Sequence, residues 1–339
     1  MKPSVLICFL IVFLALLING CDVANNPDNK VPPPVDSKNS TWMYTSDAGE
    51  SWFVYKLYYC DKLFGVSSFN QDQYSSVIAV GDSGMVIVSL DGGGTWNADT
   101  LGIMKLNLNA LAWTGESNTG VAVGNQGTIL WTNVEGQSWS YMTTPTSSDL
   151  FTVAFDSVSG VGLAAGSNET LLISYDRGLS WSIKISVFTS SVVYKKIAFA
   201  NTGIAAVVGY NDLTSDPVMI RTSDGGQTWS GVPLPGINNT RLYGISFLDS
   251  LRGVAVGSSG AIIKTTNGGL TWTSKSSGVS DNLYAVSFSR AVCLVTGDKI
   301  ILKSVDFGET WSSSIIGNAN GSLYSIFKID SRNYFVSGD

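Results

Sequence analysis

The most regular array of reactive side chains in this sequence is an octapeptide of the form Ser/Thr-x-Asp-x-Gly-x-Ser/Thr-Trp. It occurs seven times: TSDAGESW (45–52), SLDGGGTW (89–96), TNVEGQSW (132–139), SYDRGLSW (174–181), TSDGGQTW (222–229), TTNGGLTW (265–272) and SVDFGETW (304–311). The carboxylates Asp47, Asp91, Asp176, Asp224 and Asp306 are of the type used for general acid–base work or for calcium. Their neighbours point elsewhere. An aspartate in a turn accepts hydrogen bonds from that turn's own backbone N–H groups. The glycine permits positive φ, and the tryptophans, Trp52, Trp96, Trp139, Trp181, Trp229, Trp272 and Trp311, each bury a large ring beside the hairpin. The octapeptides are therefore expected to build the fold rather than to catalyse. Asn267 should hold its turn nearly as well as aspartate. Val134 makes TNVEGQSW the weakest turn unless Asn133 or Glu135 substitutes.

The elements that position these turns follow from the spacing. Successive tryptophans lie 44, 43, 42, 48, 43 and 39 residues apart. Upstream of all but the first lies a second pattern, as in Leu242-Tyr-Gly-Ile-Ser-Phe247, Gly253-Val-Ala-Val-Gly257 and Gly260-Ala-Ile-Ile-Lys264. Alternating Tyr243, Ile245 and Phe247 signals a strand. Two buried strands follow, and a fourth after Trp272. Four strands in about 43 residues is the grammar of a propeller blade. Upstream patterns start at Leu63, Leu108, Leu150, Val193, Leu242 and Leu283. A seventh, from Leu323, stops at Asp339 without its turn, and residues 42–52 carry that missing turn with no pattern before it. The expectation is all-β: a seven-bladed β-propeller of four-stranded antiparallel blades, its ring closed by N-terminal strands completing the C-terminal blade. It occupies residues 42–339.

Residues 1–21 read as an export signal. Lys2 precedes an apolar run from Val5 to Ile18, which is short for a membrane span. The run ends Ile18-Asn19-Gly20-Cys21 and resembles a bacterial lipobox, so Cys21 is the candidate lipidation site. A plain secretory signal cut nearby would leave Cys21 incidental. Residues 22–41, with Pro32, Pro33 and Pro34, read as an extended tether. The expected location is the bacterial cell envelope, lipid-anchored on the outer side of a membrane. Export permits a Cys60–Cys293 disulfide, but the two fall in different blades, which favours two small buried thiols.

Composition excludes several classes. Histidine is absent, which removes Ser-His-Asp and Cys-His chemistry and all histidine metal ligands. The net charge of −6 does not suit nucleic acid. No phosphate-binding glycine loop, dinucleotide fingerprint or CxxC motif occurs, and no cofactor is expected.

The octapeptide is the Asp-box, or bacterial neuraminidase repeat. The fuller unit, Leu-x-x-Val/Ile-x-Phe … Gly-x-Ala-Val-Gly-x-x-Gly-x-Ile-x-x-Thr-x-Asp-Gly-Gly-x-Thr-Trp, resembles the photosystem II assembly and stability factor family across residues 40–339. The resemblance implies a non-catalytic scaffold that holds a membrane protein or complex subunit during assembly. The photosynthetic members of that family are known for an arginine-rich surface patch. Here there are six arginines (Arg177, Arg221, Arg241, Arg252, Arg290 and Arg332), none adjacent in sequence. The alternatives are a carbohydrate-active enzyme or lectin of the sialidase-like Asp-box class, or a surface adhesion protein. A glycan is then the partner. Sialidases resemble one another in a Phe/Tyr-Arg-Ile-Pro signature, which is missing. The carboxylates outside the repeats, among them Glu116, Glu169, Asp212, Asp216, Asp249 and Asp281, fall at scattered repeat positions rather than as the pair that glycoside hydrolysis needs.

Each blade's first strand should line the central channel. Its second pattern position reads Phe64, Asn109, Phe151, Tyr194, Tyr243, Tyr284 and Tyr324. The six aromatic members are candidate partner-binding residues, an aromatic collar able to grip a peptide or a sugar. Packing between blades competes with that reading, and the following Val/Ile and Phe, alternating onto the same side, favour packing. The inserted stretch 210–217 is a second candidate contact.

Overall fold

A computed structural model describes residues 22–23, 39–58, 62–71, 74–90, 96–100, 106–116, 118–184, 191–290, 292–315, 321–328 and 332–338. The apolar run, Cys21, Cys60 and Asp91 lie outside them. Seven antiparallel sheets form the fold. Blade V shows the plan: Leu242–Phe247 innermost, then Gly253–Gly257, Ile262–Thr265 and Thr273–Lys275 outermost. Counting from the N-terminus, the innermost strands of blades I to VII are Leu63–Gln71, Leu108–Trp113, Leu150–Phe155, Val192–Asn201, Leu242–Phe247, Leu283–Ser289 and Leu323–Lys328. Each touches the next, and the seventh touches the first, so the ring is closed.

Closure is made as the sequence implies. Leu323–Lys328 pairs with Tyr334–Gly338, which pairs with Asn39–Thr45, which pairs with Phe53–Tyr58. The N-terminal strand starts at Asn39, three residues before the expected Trp42. Asp22–Val23 adds a short outer rung on Phe53–Tyr58, so the segment read as a free tether touches the ring at its start.

The core is divided among the blade junctions. Seven apolar clusters lie one at each junction, for example Leu163 and Ile173 of blade III against Val207 and Ile220 of blade IV. Every cluster receives the Asp-box tryptophan of the later of its two blades: Trp96, Trp139, Trp181, Trp229, Trp272, Trp311 and Trp52 in ring order. The octapeptide therefore fastens each blade to the one before it. In the six described copies its glycine, such as Gly178 at φ +89°, is left-handed. A Cβ on Gly178 would lie 2.5 Å from Val121 of blade II. Both the turn and the close approach require glycine.

The Asp-box bonding is local. Asp224 accepts from the Thr228 backbone N–H at 2.9 Å and the Thr228 hydroxyl at 2.5 Å, and the Thr222 hydroxyl donates to it at 2.8 Å. Asp47, Asp176 and Asp306 repeat this set, and Asn267 reproduces it with its amide donating to Thr271. The Thr228 hydroxyl, followed by its backbone N–H, holds the Asp224 pKa down at about 2. The Ser51 hydroxyl and backbone do the same for Asp47, also at about 2. Thr310 pulls Asp306 down further. At Val134 only the Thr132 part survives, with Gly136 N–H donating to the Thr132 hydroxyl at 3.1 Å. Glu135 does not substitute, because it reaches across to accept from Ser76 of blade I.

Cys293 is a buried free thiol, and burial pushes its pKa well up. Among the described residues no helix is long and apolar enough to cross a membrane.

Candidate functional site

Each innermost strand carries a β-bulge directly after the buried side chain that opens its repeat. The register shifts fall between Leu63 and Gly65, Leu108 and Ala110, Leu150 and Thr152, Tyr194 and Lys196, Leu242 and Gly244, Leu283 and Ala285, and Leu323 and Ser325. A bulge re-aims the extra residue away from the sheet's alternation. The bulged residues are Phe64, Asn109, Phe151, Lys195, Tyr243, Tyr284 and Tyr324. They form one sevenfold position at the upper end of the channel, beside the turns that join second strands to third. Asn109 donates to Asn125 in one such turn, and the Tyr284 hydroxyl donates to Asp298 in another at 3.0 Å.

Tyr194 does not belong to this set. It is fully buried at the junction of blades III and IV, in the place that leucine holds elsewhere. The repeat in blade IV starts one residue later than the sequence reading placed it, at Tyr194 instead of Val193. Gly209 fixes the register: a Cβ there would lie 2.0 Å from the carbonyl of Val193, as one on Gly257 would lie 2.2 Å from that of Arg241. The signal was present in Tyr194-Lys-Lys-Ile197-Ala-Phe199, which satisfies Leu-x-x-Ile-x-Phe if tyrosine replaces leucine. Lys195, missed by the sequence reading, holds the collar position instead. Its ammonium lies 4.1 Å from the centre of the Phe151 ring.

The remaining aromatics make an arc, not a full ring. Tyr243 and Tyr284 stand 5.5 Å apart between ring centres, and Tyr284 and Tyr324 stand 5.4 Å apart. Tyr210, at the start of the inserted loop, extends the arc at 6.2 Å from Tyr243. Arg241 stacks on Tyr210 at 4.6 Å and Lys62 lies over Tyr324 at 5.8 Å, so each end carries a cation. Tyr243, Tyr284 and Tyr324 are half-buried, as are Phe64 and Phe151 across the mouth. Burial, and then the bond to Asp298, pushes the Tyr284 pKa up to about 12, so its hydroxyl stays protonated near neutral pH. An arc of this kind offers ring faces and O–H groups, which suit an extended peptide.

The insertion stands beside the arc. In blades I, II and V a three-residue turn, such as Ser258–Gly260, follows the second strand, and in blade VI only Asp298 and Lys299 separate the second strand from the third. In blade IV the strands lengthen to Asn211 and Pro217. The loop between them is closed by Asn211 N–H to the Asp216 carbonyl at 2.9 Å, and the Asn211 side chain accepts from Leu213 and Thr214. Leu213 at its tip is 79% exposed.

The other carboxylates do not converge. Glu116 is taken up by Arg177 and Asp249 by Arg252, while Asp212 lies 3.9 Å from Arg241 on the upper face. Among the described residues no group of three or more metal-ligating side chains could hold an ion.

The profile of the family described as "Photosynthesis system II assembly factor YCF48" matches residues 131–238 and 236–333, more than half of the chain. Among solved structures the chain is similar to "YCF48 bound to D1 peptide", at 17% identity and a TM-score of 0.65, over 90% of this chain and 98% of that one. It is similar to YCF48 from Cyanidioschyzon merolae at 14% identity and a TM-score of 0.65, over 82% and 94%. It also resembles in fold the GH74 xyloglucanase from Xanthomonas campestris, at 16% identity and a TM-score of 0.62, over 76% of this chain but 45% of that one. No curated protein matches by sequence.

Proposed function

Because the chain belongs to the photosynthesis system II assembly factor YCF48 family, we propose that it is a non-catalytic binding scaffold for a membrane-protein subunit. On this reading it grips an extended segment of that subunit during assembly of a complex. The observation that carries the reading is the bulge-aimed arc of Tyr243, Tyr284 and Tyr324 at the channel mouth, extended by Tyr210. Ring faces and hydroxyls at 5.4–6.2 Å spacing form a continuous surface on a rigid ring, and such surfaces bind peptides with little ordering cost on the protein side. The fold likeness to a YCF48 structure with a bound D1 peptide supports the same reading. The xyloglucanase shares only the fold at 16% identity, and the chain covers 45% of it, so it lends the glycan reading no site.

The lipobox-like Ile18-Asn19-Gly20-Cys21 completes the proposal. A lipid on Cys21 tethers the ring to the outer side of a membrane of the cell envelope, within reach of its client. The link to the ring is short where Asp22–Val23 pairs with Phe53–Tyr58.

The test is an affinity pull-down from detergent-solubilised native membranes with the full chain and with a Tyr243→Ala/Tyr284→Ala/Tyr324→Ala variant, read by mass spectrometry. The reading requires a defined membrane-protein complex with the wild type that the variant loses while melting normally. Equal recovery by both moves the site elsewhere on the ring. If no protein is recovered and a glycan array lights up, the scaffold reading fails. Metabolic labelling with palmitate, lost in Cys21→Ser, tests the tether.

A further inference from the structure

We propose that the central channel holds the carboxylate of an organic ligand on Lys195 and Lys196, beside the Tyr243 end of the tyrosine arc. The inference does not depend on the scaffold reading.

The seven innermost strands contain no aspartate or glutamate. Their only charged residues are Lys195, Lys196 and Lys328, in a protein whose net charge is −6. The channel wall is thus positive where the molecule as a whole is negative. Lys196 stands directly after the bulge, where the other blades carry Gly65, Ala110, Thr152, Gly244, Ala285 and Ser325. Those small residues let adjacent strands approach closely: a Cβ on Gly244 would lie 2.9 Å from the Tyr284 carbonyl of the next blade. A lysine at this position is therefore an exception to a packing rule that six other blades obey. Its side chain is open to water, and the water reaching the middle of an innermost strand is that of the channel.

Three lysines elsewhere that are less exposed than Lys196 are paired. Lys264 and Lys275 share Glu309 at 2.6 and 2.5 Å, and Lys303 meets Glu50 at 2.5 Å. Lys195 and Lys196 form no ion pair or hydrogen bond among the described residues, and Lys195 has only the Phe151 ring. The channel wall around these two adjacent cations partly desolvates them and lowers both ammonium pKa values, with no counter-charge to offset it. An oxyanion relieves that cost, and charge-assisted bonds in an enclosed site are strong. The collar residues flanking Lys195 are Phe151 and Tyr243. Their ring faces suit the carbon skeleton of an organic carboxylate better than a bare inorganic ion. The carboxylate can come from a free small acid or from an acidic side chain of an inserted peptide.

The test uses the full chain in detergent and a Lys195→Tyr/Lys196→Thr variant, which copies Tyr243 and Thr152 and so keeps residues the ring already accepts at these positions. Melting temperature and calorimetric titration are followed with succinate, with a short glutamate-containing peptide and its glutamine counterpart, and with chloride and inorganic phosphate at matched ionic strength. Saturable binding of succinate or of the glutamate peptide, weakened at least tenfold in the variant, is expected. Succinate alone identifies a free acid, and the glutamate peptide alone identifies an inserted chain. An equal response to chloride or phosphate, an undiminished response in the variant, or no response to any carboxylate overturns the proposal.

Discussion

The indole nitrogen of Trp181 donates to the carbonyl of Gly178 at 3.0 Å, and the same glycine brings the turn against Val121 of the preceding blade. One residue pair thus ties an Asp-box turn to itself and to its neighbour. Trp139, Trp229 and Trp272 make the equivalent bond at 2.9–3.2 Å. The consequence is that deleting an Asp-box tryptophan should loosen a junction between blades.

Trp181 is buried among Val121, Val123 and Phe155. Trp181→Ala should cost roughly 3–5 kcal/mol, the usual loss for deleting a buried aromatic ring. Denaturant unfolding measures it. A variant as stable as wild type would mean that the octapeptides do not fasten the ring.

Val134 offers the reverse experiment. Aspartate there would meet the Ser138 backbone and hydroxyl, as Asp224 meets Thr228. Val134→Asp should stabilise by about 1 kcal/mol, the net worth of a typical hydrogen bond. Thermal melts at neutral pH check the sign, and Asn267→Val should lose a similar amount.

Acid should loosen the turns in a defined window. Asp47 and Asp224 fall to about 2 in the folded chain from an ordinary value near 3.8. A depressed carboxylate contributes stability above the unfolded pKa and loses it as pH falls through the folded one. Stability should therefore drop between about pH 4 and pH 2. The triple variant Asp47→Asn/Asp224→Asn/Asp306→Asn should flatten that part of the profile, because Asn267 shows that an amide makes the same bonds. An unchanged slope would place the acid sensitivity outside the Asp-boxes.

Tyr194 and Tyr243 separate core from collar. Tyr194→Ala removes a fully buried ring and should unfold the chain several kcal/mol more easily. Tyr243→Ala removes a half-buried one and should leave the melt close to wild type while weakening client recovery. Equal melts for the two variants would contradict a blade IV register that buries Tyr194 and aims Lys195 into the collar.

By itself the sequence determined the all-β class, the seven repeats and the shared closing blade. Each follows from local chemistry: strand alternation, a glycine that permits positive φ and a tryptophan at a fixed distance. Even the failure at Val134 was legible, because an apolar side chain cannot accept a hydrogen bond. Tertiary structure decided where the repeats touch and where their side chains aim. A bulge shifts the aim of one residue without changing the composition around it, so a reading by pattern position put Tyr194 in the collar and left Lys195 out. The packing of Gly209 on the Val193 carbonyl settles that register, and it is a contact between strands. For the same reason the unpaired lysines were invisible along the chain: a missing partner is a property of seven strands brought around one channel.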